Sequence, residues 1–263
     1  MSDTGPATDQ SWFTTSDSEV RSGWFRETAR EFGSEVWQDY TNFYDCETLC
    51  KFGLGLGAAA ICAETSIDSK FDAWFQNHVR STGTDALTHN IKWVGDGVYT
   101  VPIAFGLYAL GSLADEVPGA AELSVWGNRT LRGFAVGVVP MLTMQVVLGS
   151  DRPGYSPHGS RWTPFVSSHG VSGDAFMGAM PFIAAAGMTD NLFLKATCYA
   201  VSILPAFGRI DYDAHYLSQA ALGWFMAYLS VMAVNDTDVQ RFNEHIVPVF
   251  QPNQYGVAAE FRW

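Results

Sequence analysis

The sequence predicts an all-α protein, a helical bundle with a core of about six apolar helices and its chemistry gathered at one end. Three observations predict it. Six stretches without a charged residue, 52–63, 97–114, 133–150, 175–189, 196–208 and 216–234, recur along the chain, and runs of this length exceed ordinary strands. Apolar residues between the first two stretches repeat at helical spacing. A chain of 263 residues, 48% of them hydrophobic, is long enough to bury one large core.

Taken in order, residues 1–18 are rich in Ser, Thr, Asp and Gly and are expected as a flexible tail. The helical domain is expected over 19–245. It opens with Trp24, Phe25, Phe32, Trp37 and Tyr40 set among charges, the pattern of an amphipathic helix. A helix that spans a bilayer needs about 17 apolar residues at least. By that measure the second, third and sixth stretches qualify, while the first and fifth are expected as buried core helices. Gly53, Gly55, Gly57 and Ala58 are the small residues that closely packed membrane helices use, whereas a mean hydropathy of +0.03 is low for six spans. An integral membrane protein is the preferred reading and a soluble bundle the alternative. Ile67, Phe71, Trp74, Phe75 and Val79 predict a short amphipathic helix that would act as a lid. In 246–263 two β-prone runs flank a Pro, Asn and Gly turn, which predicts a small C-terminal hairpin.

Fifteen basic residues against twenty-seven acidic ones give a net charge of −12, which excludes a nucleic-acid partner. An anionic substrate would need a local basic pocket. Cys46, Cys50, Cys62 and Cys198 have neither metal-binding nor redox spacing and are expected as buried thiols. The polar, acidic start lacks the features of a secretory signal. His78, His89 and His245 have no partner at metal-ligand spacing, so no metal site is expected.

Chemistry concentrates at the ends of the apolar stretches. Arg152 follows the third and precedes Pro153, which forces an extended backbone there. Ser167, Ser168 and His169 precede the fourth, where exposed helix N–H groups favour an anion. Arg209 and His215 lie between the fifth and sixth. Antiparallel neighbours would bring all of them to one end of the bundle.

In this order and spacing the residues resemble the type-2 phosphatidic-acid phosphatase superfamily, which includes lipid phosphatases, bacterial acid phosphatases and vanadium haloperoxidases. Its signature is K-x(6)-R-P, then P-S-G-H, then S-R-x(5)-H-x(3)-D. Here the parts read Gln145-x(6)-Arg152-Pro153, then Val166-Ser167-Ser168-His169, then Gly208-Arg209-x(5)-His215-x(3)-Gln219. The match covers about residues 133 to 234.

The resemblance implies that His215 attacks phosphorus to form a phosphohistidine, and that His169 protonates the leaving alcohol and then activates water. It implies that Arg152 and Arg209 grip the equatorial oxygens, with Ser167 and the backbone N–H groups of Ser168 and Gly170 completing the cradle. Two positions depart. Gln145 replaces a phosphate-binding Lys, and Gln219 replaces the Asp that orients the nucleophile. A Gln carbonyl can hold the imidazole tautomer but cannot stabilise imidazolium as a carboxylate does. Arg161 and His158 are the auxiliary cations expected to compensate.

The expected activity is hydrolysis of phosphate monoesters, on a phosphorylated lipid, a polyprenyl phosphate or a small phosphate ester, without a cofactor. The alternatives are a haloperoxidase that holds vanadate in the same cradle, and a non-catalytic membrane or interaction protein on a degenerate phosphatase scaffold. In a six-span arrangement, nine basic residues on the side of the termini against six on the motif side put the site on the outer face.

Overall fold

The computed structural model describes residues 12–114, 116–155, 157–244, 246–251 and 254–259. It is an all-α helical bundle. α1 (Trp12–Phe43) begins inside the stretch 1–18 expected as a tail. Once a helix is nucleated, each added residue gains a hydrogen bond at small cost, so polar composition alone does not end it. Residues 1–11 lie outside the described residues.

α2 (Cys46–Glu64) starts at Asp45, whose side chain accepts from the Thr48 N–H at 2.6 Å. α3 (Ile67–His78) is the predicted amphipathic helix. α4 (Thr82–Ile91) opens with a reciprocal cap between Ser81 and Thr84, and the 3₁₀ turn Lys92–Gly95 follows. α5 (Gly97–Leu113) is capped by Asp96. α6 (Ala120–Leu148) is longer than the apolar stretch that announced it, because Arg129 and Arg132 are carried inside the helix and paired. α7 (Gly173–Ala186) starts at Ser172. The fifth stretch is broken into α8 (Leu192–Ser202) and α9 (Leu204–Asp211), with Pro205 in the first turn of α9. A proline lacks the N–H a continuing helix needs there. α10 (Leu217–Glu244) closes the bundle. β1 (Ile246–Gln251) then pairs antiparallel with β2 (Gln254–Ala259), the predicted hairpin.

The core lies where α6, α7 and α10 meet, around Phe134, Phe176, Met180, Met226 and Val231. Gly137 makes that approach feasible, since a Cβ there would overlap the Ser230 hydroxyl and the Phe176 ring. Among the described residues three helices are long and apolar enough to cross a membrane: α2, α6 and α10. Two of these were expected and one was not. α5, at 17 residues, falls among the shorter apolar helices. α2 is no buried core helix, because only 17% of its apolar window is buried. Leu54 and Ile61 stand exposed on it. Cys46 and Cys50 are likewise exposed, and Cys62 and Cys198 only partly covered, so the expectation of buried thiols fails. An apolar sequence does not distinguish a helix covered by protein from one that presents its surface outward.

At the end away from the motifs, Arg132 is buried and holds the buried Asp39 with two nitrogens, at 2.6 and 2.8 Å. Its third nitrogen reaches Asp238 at 2.7 Å. α1, α6 and α10 are tied together by this one guanidinium.

Candidate active site

α6 ends, α7 begins, α9 ends and α10 begins at the same end of the bundle. The segment 149–172 crosses between α6 and α7 and carries Arg152 and His169. Gly149 leaves α6 with φ +61°, and a side chain there would run into the Thr163 carbonyl. Asp213, also left-handed at φ +54°, turns the chain from α9 toward His215. The N–H groups of Ala214 and His215 both donate to the Arg209 carbonyl, at 3.0 and 3.2 Å. Arg209 and the imidazole six residues on are therefore set by one tight turn.

His215 is buried, and its ring centroid lies 6.4 Å from that of His169. Its Nδ1 is 3.0 Å from the Gln219 Oε1. Gln219 has no freedom to flip. Its Oε1 also accepts from the Tyr216 N–H at 3.0 Å, and its Nε2 donates to the Asp151 carbonyl at 2.7 Å and to the Ser150 hydroxyl at 2.8 Å. A backbone donor fixes which end is oxygen and a backbone acceptor fixes which end is nitrogen. His215 must then carry its proton on Nδ1, which leaves the Nε2 lone pair free as a nucleophile. Burial, helped by Arg209 and Arg152, pushes the imidazole down to about 3, so it is neutral across the physiological range.

Ser167 donates to the Ser150 carbonyl at 2.6 Å and lies 3.3 Å from His169 Nδ1. With its one hydrogen committed, the hydroxyl can only accept from that nitrogen, which leaves His169 Nε2 for the substrate side. Burial and then Arg152 lower the His169 pKa, against a smaller opposing pull from Asp151. Ser167 thus orients His169 instead of adding a donor to the cradle.

Two further parts of the expected cradle are otherwise engaged. The Gly170 N–H donates to the Gln145 carbonyl at 3.3 Å. The Gln145 side chain donates to the Val171 carbonyl at 3.1 Å and so supports the chain entering α7. Ser168 is exposed, and Arg161 and His158 are exposed as well. The guanidinium groups remain well suited to an anion. Arg152 Nε and Arg209 Nε are buried with no hydrogen-bond partner among the described residues. Arg209 is also held by Asp174 in the first turn of α7, at 2.8 Å.

Ser150, Asp174 and the Asp151 carbonyl are parts of the candidate site that sequence reasoning missed. α3 is also fastened and not a free lid, because Asp68 accepts from the Ser218 N–H at 3.0 Å and Gln76 donates to the Ile210 carbonyl at 2.8 Å. A neutral imidazole nucleophile, a second imidazole facing it and two guanidinium groups can together transfer a tetrahedral anionic group. Among the described residues no cluster of His, Cys, Asp or Glu is arranged to hold a metal ion. No family model, curated protein or solved structure matches this chain.

Proposed function

We propose that the protein is a phosphatase that hydrolyses phosphate monoesters through a phosphohistidine on His215, acting on a lipid or polyprenyl phosphate at a membrane. The observation that carries this reading is the locked tautomer of His215, which leaves its Nε2 lone pair free in a ring 6.4 Å from that of His169 and within the field of Arg209 and Arg152. The motif resemblance supports it independently.

In the first step the His215 Nε2 forms a bond to phosphorus and the bond from phosphorus to the ester oxygen breaks. The alcohol leaves with a proton from His169. In the second step neutral His169 takes a proton from water, the resulting hydroxide oxygen bonds to phosphorus, and the bond between phosphorus and His215 breaks to release phosphate. Arg152 and Arg209 stabilise the charge on the transferring group in both steps.

A lipid substrate is supported by an apolar cavity of about 370 Å³ between α2 and α10. Leu217 and Ser218, directly after the nucleophile's turn, line its upper part, and Gly55, Ala58, Trp224 and Phe225 continue it. The three helices long enough to cross a membrane include both walls of this cavity. With the termini in the cytoplasm, the site would open on the outer face. The second reading, a scaffold that binds phosphate without turnover, is favoured by Gln145, whose side chain is spent on Val171.

Rapid quenching with phosphate-labelled substrate separates the two. Label bound covalently to His215, stable in base and lost in acid, is the expected result. Phosphate affinity with no covalent label and no released alcohol from lipid or soluble esters would favour the scaffold. The pH profile gives a further check. His169, its pKa lowered by burial and then by Arg152, loses its proton at lower pH than a free imidazole, and His215 stays neutral down to about 3. Measured kcat/KM should therefore decline on the alkaline side, beginning at lower pH than a free imidazole would set. A profile flat from pH 5 to 8 would remove His169 from the acid role.

A further inference from the structure

We propose that Lys92 is the third cation of the phosphate site and works by taking Asp174 away from Arg209 when a phosphoryl group arrives. The inference rests on the reading that this end of the bundle binds a phosphoryl group. The cation expected at 145 is absent, and the amide that stands there is committed to Val171. At rest one of the two cradle arginines is also occupied, since Asp174 holds Arg209 at 2.8 Å. A dianion approaching Arg209 meets a carboxylate already in place.

Lys92 is built into the same corner. Thr88, Lys92, Asp174, Gly208, Arg209 and Tyr212 line one small recess of about 20 Å³. The lysine reaches it because the turn Lys92–Gly95 is docked directly on the start of α7. A Cβ on Gly95 would stand 3.0 Å from the Asp174 carbonyl oxygen, and one on Gly178 would stand 3.0 Å from Gly95 Cα. Glycine at both positions lets the turn and the helix touch. α4, which leads into the turn, is pinned from the other side by the buried bond from the Thr88 hydroxyl to Asp211 at 2.8 Å. At rest the Lys92 ammonium lies 6.0 Å from the Tyr212 ring centroid, and the residue is exposed. Its four-carbon stem is flexible enough to swing the charge across the recess.

When the phosphoryl group binds, Arg209 turns to its oxygens through charge-assisted hydrogen bonds. Asp174 then keeps a counter-ion in Lys92. Lys92 is in this sense a positioning residue that acts through Asp174, and its effect should vanish when Asp174 is neutral.

The test is the affinity of the full chain, purified in detergent, for inorganic phosphate, measured by titration calorimetry in wild type, Lys92→Met, Lys92→Arg, Asp174→Asn and the double variant Lys92→Met/Asp174→Asn. Lys92→Met should weaken binding about tenfold and Lys92→Arg less than about threefold, the loss and retention of one charge-assisted contact. In the Asp174→Asn background the Lys92→Met penalty should shrink to less than about twofold. Lys92→Met binding phosphate as wild type does, or losing the same tenfold in both backgrounds, overturns the proposal and leaves the phosphatase reading standing. A wild-type protein that binds no phosphate at millimolar concentration overturns both.

Discussion

His215→Ala should lower phosphate release by at least about 10³-fold, the scale on which removing a covalent nucleophile acts. The covalent label in the quench experiment should disappear with it. His215 is buried, but alanine only removes a ring at the mouth of α10, and the turn itself is held by backbone bonds to the Arg209 carbonyl. Melting temperature should therefore stay close to wild type, which separates loss of chemistry from loss of fold. A variant that keeps a tenth or more of wild-type turnover would sink the phosphohistidine mechanism.

Gln219 is the more informative partner. Gln219→Leu frees the imidazole to adopt the wrong tautomer, and changes of that kind cost about 10²–10⁴ in kcat. Restoring an acid should not restore speed. In Gln219→Glu the Nε2 that donates to Asp151 and Ser150 becomes a carboxylate oxygen set against the Asp151 carbonyl, at the position now 2.7 Å from it. Two donated hydrogen bonds are lost and a buried charge is left beside a carbonyl, at a cost of about 1–3 kcal/mol per unsatisfied group. The glutamine is thus embedded in a network built for an amide. A Gln219→Glu enzyme faster than wild type would show that the amide is only a weakened carboxylate.

Much of this site was legible in the sequence because its residues stand at helix ends. Arg152, His169, Arg209 and His215 meet for the reason expected: the helices that carry them run antiparallel and expose their ends together. What the sequence could not show is how hydrogen-bond partners are shared out. That Gly170 gives its N–H to Gln145, or that Ser167 serves Ser150 and His169, depends on the path of 149–172 across the bundle. Asp174 stands directly before the fourth apolar stretch with nothing in the sequence to mark it, and its grip on Arg209 follows only once α7 and α9 are packed. α4 was missed because it is short and carries few apolar residues, Ala86, Leu87 and Ile91, and its start is marked by Ser81 and Thr84 alone. The exposure of α2 was hidden for the opposite reason, since composition reports apolarity and not what covers it.

The largest effect on stability should come from the far end, at Arg132. Sixteen residues before Leu148 on α6, it lies about 24 Å below the site along the helix at 1.5 Å per residue. Arg132→Met would leave Asp39, with no exposed surface, without its countercharge, and would strip Asp238 of a 2.7 Å partner. Breaking a buried pair by removing one partner costs about 3–5 kcal/mol, a large share of the about 5–15 kcal/mol that holds a typical domain together. Asp39→Asn should be milder, because Arg132 keeps Asp238 and the Asn128 side chain. The double variant Asp39→Asn/Arg132→Met should recover part of the loss, since it leaves no unpaired charge at Asp39. Thermal unfolding of the four proteins in detergent checks the order. Arg132→Met melting within a degree of wild type would mean that α1 is held by its other contacts, Tyr40 to the Ala135 carbonyl and Asn42 to Thr237, without the ion pair.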